Sequence, residues 1–281
     1  MKIFKYKNGM FELNGKGYIM GIVNVTPDSF FDGGEYYDSS KAIEHCNLLK
    51  KQGADIIDLG AMSTRPGSEP ITPKEEIKRL APVLDELKND DSVVISVDTV
   101  NYETADYVLS NGANIINDVS GYFNEDMASV VKKHDAGWVV THTGNVPSGS
   151  IVDYPNGVVN DVNNFFNMMI EKCNQYGIDK KCICLDPGFG FAKTTEDNVE
   201  LLKKLDMIIK DDYAFLTALS RKRFIGALTG TDSVENRLVG TIAADMIALM
   251  KGTDFIRVHD VSEAKQQVLI YNSIKDNDIY G

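Results

Sequence analysis

The amino-acid sequence predicts an α/β protein, a (β/α)8 barrel of the TIM type preceded by an N-terminal β-hairpin. Eight short apolar runs alternate with amphipathic stretches along 281 residues. No linker or low-complexity break divides the chain, and every run ends in, or is closely followed by, a polar or charged residue. Eight uninterrupted βα units fit a closed barrel better than an open doubly wound sheet, which is usually smaller or visibly bipartite. Residues 1–281 are therefore read as one barrel domain.

The first residues, KIFKYKNGMFEL, read as a hairpin with Asn8-Gly9 at its turn. Tyr18–Asn24 is the first barrel strand, and runs at 55–58, 93–98, 114–117, 138–142, 182–186, 214–220 and 254–259 follow. Four of them share one punctuation, in QGADIIDLG, NGANIINDVSG, DAGWVVTHTG and KGTDFIRVHDV, where a glycine stops a helix just before a buried strand. Between them, PKEEIKRLAPVLDELK is amphipathic and opens on Thr72 as N-cap, with Glu75 three positions on.

With 43% hydrophobic and 25% charged residues the chain is long enough to bury a large core. Its net charge of -12 argues against nucleic acid or an anionic membrane as partner, because both reward basic surfaces. The N-terminus lacks an apolar signal region and no run approaches the ~18 residues of a membrane helix, so the expected address is the cytoplasm. Cys182 and Cys184 point to opposite faces of one strand; with Cys46 and Cys173 they read as reduced core thiols.

In a barrel of this kind the C-terminal ends of the strands converge on the face where chemistry occurs. Here those ends carry Asn24, Asp58, Asp98, Asn117, His142, Asp186, Lys222, Arg257 and His259. Asp98, Asn117 and Asp186 offer acceptors and one amide, a set that suits a flat heterocycle with an amino-pyrimidine edge. Each residue alone could equally serve turn chemistry, as in SVDTVNYE or LDPGFG; the three together at strand ends favour a ligand. SRKRFIG and RVHD place cations after the last two strands, a common phosphate position in barrels. The loop DLGAMSTRPGSEP carries Ser63, Thr64 and Arg65. It reads either as a surface loop or, beside the hard oxygens of Asn24, Asp28 and Asp32, as a lid over a magnesium-bound phosphate ester. His45 and His134 fall in helical patterns and are assigned no role.

NVTPDSF followed by DGG, STRPG, SVDT, IND, DPGFGFAK, SRK and RVHD occur in that order between Asn24 and Asp260. The set closely resembles the dihydropteroate synthase family of the folate pathway, over nearly the whole chain. That family joins 6-hydroxymethyl-7,8-dihydropterin diphosphate to p-aminobenzoate with release of diphosphate, and sulfonamides mimic the second substrate. The resemblance implies that Asp98, Asn117, Asp186 and Lys222 hold the pterin, and that Asn24, helped by Asp32, binds Mg2+. It implies that Thr64, Arg65, Arg257 and His259 receive the diphosphate. Phe191, Pro66, Thr64 and the stem of Lys222 would frame p-aminobenzoate, with Phe30 on a first loop that Gly33-Gly34 let swing. The catalytic set would be Asp98, Asp186, Lys222, Arg257 and His259. A homodimer through outer helices such as VENRLVGTIAADMIALM is also implied. Ala61-Met62, Phe31, Thr141 and Arg223 depart from the usual family pattern. Other readings are a non-catalytic pterin-binding paralogue and a pterin-dependent methyltransferase barrel; the NVTPDSF and STRPG loops weigh against the latter.

Overall fold

The computed structural model describes residues 2–25, 39–61, 71–90, 92–146 and 149–275. The chain opens on an antiparallel hairpin, β1 (Ile3–Tyr6) and β2 (Gly9–Glu12), in which Tyr6 stands opposite Gly9. The turn pair is therefore Lys7-Asn8, one residue earlier than the sequence suggests, with Asn8 at a left-handed φ of 72°. The reason is steric. A Cβ on Gly9 would meet the Tyr6 hydroxyl oxygen at 2.6 Å, so the glycine serves the ladder and not the turn.

Eight parallel strands then close a barrel. In chain order they are β3 (Tyr18–Asn24), β4 (Ile56–Gly60), β5 (Val94–Asp98), β6 (Ile115–Asp118), β7 (Gly137–Thr141), β8 (Ile183–Asp186), β9 (Ala214–Thr217) and β10 (Phe255–Val258). Each pairs with the next, and β10 returns beside β3 with Phe255 opposite Tyr18 and Val258 opposite Gly21. The barrel with its N-terminal hairpin is thus the expected one. The helices α1 (Ser39–Gln52), α2 (Pro73–Leu87), α3 (Tyr102–Ser110), α4 (Glu125–Lys133), α5 (Val158–Tyr176) and α6 (Thr195–Lys203) each follow one strand. Two, α7 (Arg223–Thr229) and α8 (Leu238–Met250), lie between β9 and β10, and α9 (Val261–Lys275) follows β10.

The helix signals act as read, with one exception. Thr72 Oγ1 accepts the Glu75 N–H at 3.3 Å and starts α2. Gly53, Gly112 and Gly252 take φ of 96°, 114° and 107° just before their strands, conformations that cost a side-chain-bearing residue. In DAGWVVTHTG the left-handed residue before the strand is instead Asp135, at φ 49°. Gly137 begins β7 and is small for packing, since a Cβ there would meet the Phe4 ring at 2.8 Å.

Side chains alternate across each strand. Outward residues such as Ile57, Val97, Trp138 and Phe215 join the core beneath the helices. Inward residues Met20, Ile56, Ile115, Val139, Cys184 and Phe255 fill the lower half of the barrel, and Phe4 and Leu13 of the hairpin region close it from below. Each such side chain contributes about 1.5–3 kcal/mol on burial, so the lower half is a solid plug. Any ligand must enter from above. All four cysteines are buried and unbonded. Among the described residues no helix is long and apolar enough to cross a membrane.

Candidate active site

The alternation that builds the apolar plug also builds the layer above it. Two residues after Ile56, Val94, Ile115, Val139, Cys184 and Phe255 come Asp58, Ser96, Asn117, Thr141, Asp186 and Arg257, on the same inward faces. Asp98 follows Ser96 on β5.

Arg257 ties this layer together. Its Nε donates to Asp58 Oδ2 at 2.7 Å and its Nη2 to Asp98 Oδ2 at 2.9 Å. Asn117 Nδ2 donates to the same Asp58 oxygen at 3.0 Å. Burial raises the Asp98 carboxyl above its ordinary range; the Arg257 cation opposes this and the Asp58 charge adds to it. One guanidinium is thus shared by two carboxylates, too little positive charge to satisfy both. Asp58, fully buried, is the hub of this cluster and was given no role by the motifs. Its signal was the spacing from Ile56, which places it inside the barrel.

Asp186 ends β8 and accepts the Gly188 N–H on Oδ1 at 2.8 Å. Burial raises its pKa, with the Lys222 cation opposing. Lys222 directs Nζ to the Phe189 carbonyl and places it 4.7 Å from the centre of the Phe191 ring. Burial pushes its ammonium down to about 8 against the pull of Asp186. Asn117, Asp98, Asp186 and Lys222 therefore lie together at the mouth.

Four buried polar atoms of the inward layer have no hydrogen-bond partner among the described residues: Asp58 Oδ1, Ser96 Oγ, Asn117 Oδ1 and Thr141 Oγ1. Leaving buried polar atoms unpaired costs about 1–3 kcal/mol each. A polar ligand edge in the barrel mouth would remove that cost.

His259 follows β10 and is exposed at the mouth. Ser220 Oγ lies 2.9 Å from its Nδ1 and accepts its backbone N–H at 3.2 Å. With the Ser220 hydroxyl proton assigned toward Nδ1, the ring N–H stands on Nε2. The walls of the mouth, and next the Arg257 cation, push His259 down to about 4. It is a neutral donor at pH 7. Arg221, by contrast, is bound to Asp260 through Nε and Nη2 at 2.7 and 2.6 Å, so this cation of the SRK stretch is structural.

Asn24 closes the inward series of β3 and is exposed at the mouth. Among the described residues no group of three or more His, Cys, Asp or Glu could hold a metal ion. A hard amide oxygen such as that of Asn24 is a ligand type that Mg2+ accepts, since the ion binds through few protein ligands and substrate phosphates. Asp28, Phe30, Phe31, Asp32, Met62, Thr64, Arg65 and Pro66 lie outside the described residues.

Residues 20–259 match the model of the family described as pterin binding enzyme. A curated relative, dihydropteroate synthase of Bacillus subtilis (strain 168), is 41% identical over 249 residues, 88% of this chain and 85% of the relative. The chain belongs to the dihydropteroate synthase family of pterin-binding enzymes. The solved dihydropteroate synthase of Xanthomonas albilineans with 4-aminobenzoic acid is 36% identical and superposes with a TM-score of 0.87, covering 95% of each chain. That of Thermus thermophilus in complex with 6HMPPP is 33% identical with a TM-score of 0.83, over 97% of this chain and all of the other. As a dihydropteroate synthase family member the chain is a transferase of folate biosynthesis.

Proposed function

We propose that this chain condenses 6-hydroxymethyl-7,8-dihydropterin diphosphate with p-aminobenzoate to give 7,8-dihydropteroate and diphosphate. The observation that carries this reading is the buried polar layer above the plug, whose unpaired oxygens and ionisable Asp98, Asp186 and Lys222 match a polar heterocycle. Asn117 and these three residues hold the pterin. Phe191 and the Lys222 stem, with Thr64, Pro66 and Phe30, form the wall against p-aminobenzoate.

The aromatic amine is already neutral near pH 7, so no strong base is needed. Its nitrogen bonds to the pterin methylene carbon as the carbon–oxygen bond to diphosphate breaks, and the amine proton passes to solvent. The barrier lies in expelling the leaving group. Arg257 uses Nε and Nη2 on carboxylates, which leaves Nη1 for the anion; neutral His259 donates from Nε2, and Thr64 and Arg65 complete the set. Asp98 and Asp186 favour positive charge on the pterin. Asn24 and Asp32 would hold Mg2+, which when bound neutralises charge on the departing diphosphate.

Purified protein given both substrates and Mg2+ is expected to release diphosphate only when both are present. Pterin binding without release would instead make it a non-catalytic pterin-binding paralogue. The assembly we propose is a cytoplasmic homodimer that also binds sulfonamides at the second site. Exposed Val239, Ile247 and Met250 of α8 and Leu269, Ile270 and Ile274 of α9 support the dimer. Light scattering at micromolar concentration should report the mass of two chains; a single-chain mass would reject the dimer.

A further inference from the structure

The loop after β8 has an unusual backbone. Gly188, Gly190 and Ala192 take left-handed φ of 65°, 77° and 50°, and Ala192 does so despite its Cβ. At Gly188 the chain passes so close to β7 that a Cβ would stand 1.8 Å from the His142 carbonyl oxygen. This path turns several carbonyls toward one point, and the ammonium of Lys193, buried to 4% exposure, occupies it.

Lys193 Nζ donates to the Gly188 carbonyl at 2.9 Å and the Phe191 carbonyl at 3.1 Å, and lies 3.3 Å from that of His142. Its fourth neighbour is His142 Nδ1 at 2.9 Å. Burial and the adjacent Lys193 charge hold His142 down to about 4, so the ring is neutral. Nδ1 then accepts from Lys193, and Nε2–H donates to Asp161 Oδ1 at 2.9 Å. Burial, followed by the Lys222 cation, lowers Lys193 to about 7; Asp186, Asp161 and Asp197 oppose this. Lys193 closes the DPGFGFAK motif, but no reaction step above uses it.

Two of the held carbonyls have functional neighbours. Gly188 also gives its N–H to Asp186, and Phe191 carries the ring against Lys222. We infer that Lys193 is a positioning residue for the second substrate: its ammonium gathers the carbonyls of the 188–191 turn and so fixes the Phe191 ring as the p-aminobenzoate wall. This rests on the reading of Phe191 given under Proposed function. A buried ammonium suits the task because three N–H groups on one atom hold both ends of the 188–191 turn and His142 at once, which a neutral side chain of similar volume does not.

The test is Lys193→Met, with Phe191→Ala and the double variant, in steady-state kinetics and in calorimetry with the pterin diphosphate. Lys193→Met should raise the KM for p-aminobenzoate by about tenfold or more while pterin affinity changes less than about twofold. Phe191→Ala should raise the same KM, and Lys193→Met should add little in that background, because it acts through the ring. An unchanged KM in Phe191→Ala removes the wall itself, and the proposal with it. A raised KM there with an unchanged KM in Lys193→Met refutes Lys193 alone. Equal losses for both substrates assign it to general stability and overturn the proposal. So does failure of both Lys193→Met and Lys193→Gln to fold.

Discussion

Arg257→Met is expected to lose about 3–5 kcal/mol of stability at neutral pH, the usual cost of removing one partner from a buried ionic cluster. Asp58 and Asp98 would then face each other without their shared cation. The direction with pH follows from the carboxylates. Asp98 already sits above its ordinary value in the folded protein, and loss of the guanidinium raises it further. A carboxyl raised on folding favours the native state at low pH, and that contribution is lost as pH climbs through the folded pKa. The gap between wild type and variant should therefore widen from pH 5 to pH 8 in urea titrations, and close as both states become protonated. The same variant should bind free pterin more tightly than pterin diphosphate, reversing the wild-type order. A gap that does not change with pH would show that Arg257 is not the counter-charge of this cluster.

Asp186→Asn should weaken pterin binding by about 2–4 kcal/mol, roughly 30- to 1,000-fold in Kd. Asparagine retains an oxygen for the Gly188 N–H, so the loop should keep its path while the charge is lost. What changes is the acceptor offered to the ligand and the support for Lys222, whose ammonium the Asp186 charge now holds up. Lys222 should titrate lower still. Calorimetry with a pterin ligand gives the affinity, and a thermal melt checks the fold. Wild-type affinity in a folded variant would remove Asp186 from the site.

Much of this architecture is written locally. Short apolar runs mark every barrel strand, and Gly53, Gly112 and Gly252 stop helices where their φ demands it. The polar residues at the ends of those runs, Asp98, Asn117, Asp186 and Arg257 among them, mark the mouth of the barrel before any coordinates exist. Local rules misplace only details, as at Gly137, whose small size answers to the Phe4 ring of a distant hairpin.

Which charges meet is a different kind of information. Asp58 and Arg257 lie 199 positions apart and Asp98 and Arg257 lie 159 apart, and they meet only because β10 closes the barrel against β3. The apolar runs state that each stands near a strand end; they carry no record of its partner across the barrel, so the sharing of one guanidinium by two carboxylates was not legible. Lys193 is the same case in a loop. Its residue type reads as a surface charge, and only the left-handed turns of Gly188, Gly190 and Ala192, with β7 alongside, bring four acceptors to its ammonium. The sequence by itself determined the barrel, the polar ends of its strands and the family motifs, because these depend on neighbours a few residues away. Tertiary structure alone decided the pairing of the charges and the pKa values that follow, because burial and Coulomb attraction depend on distance in space and not along the chain.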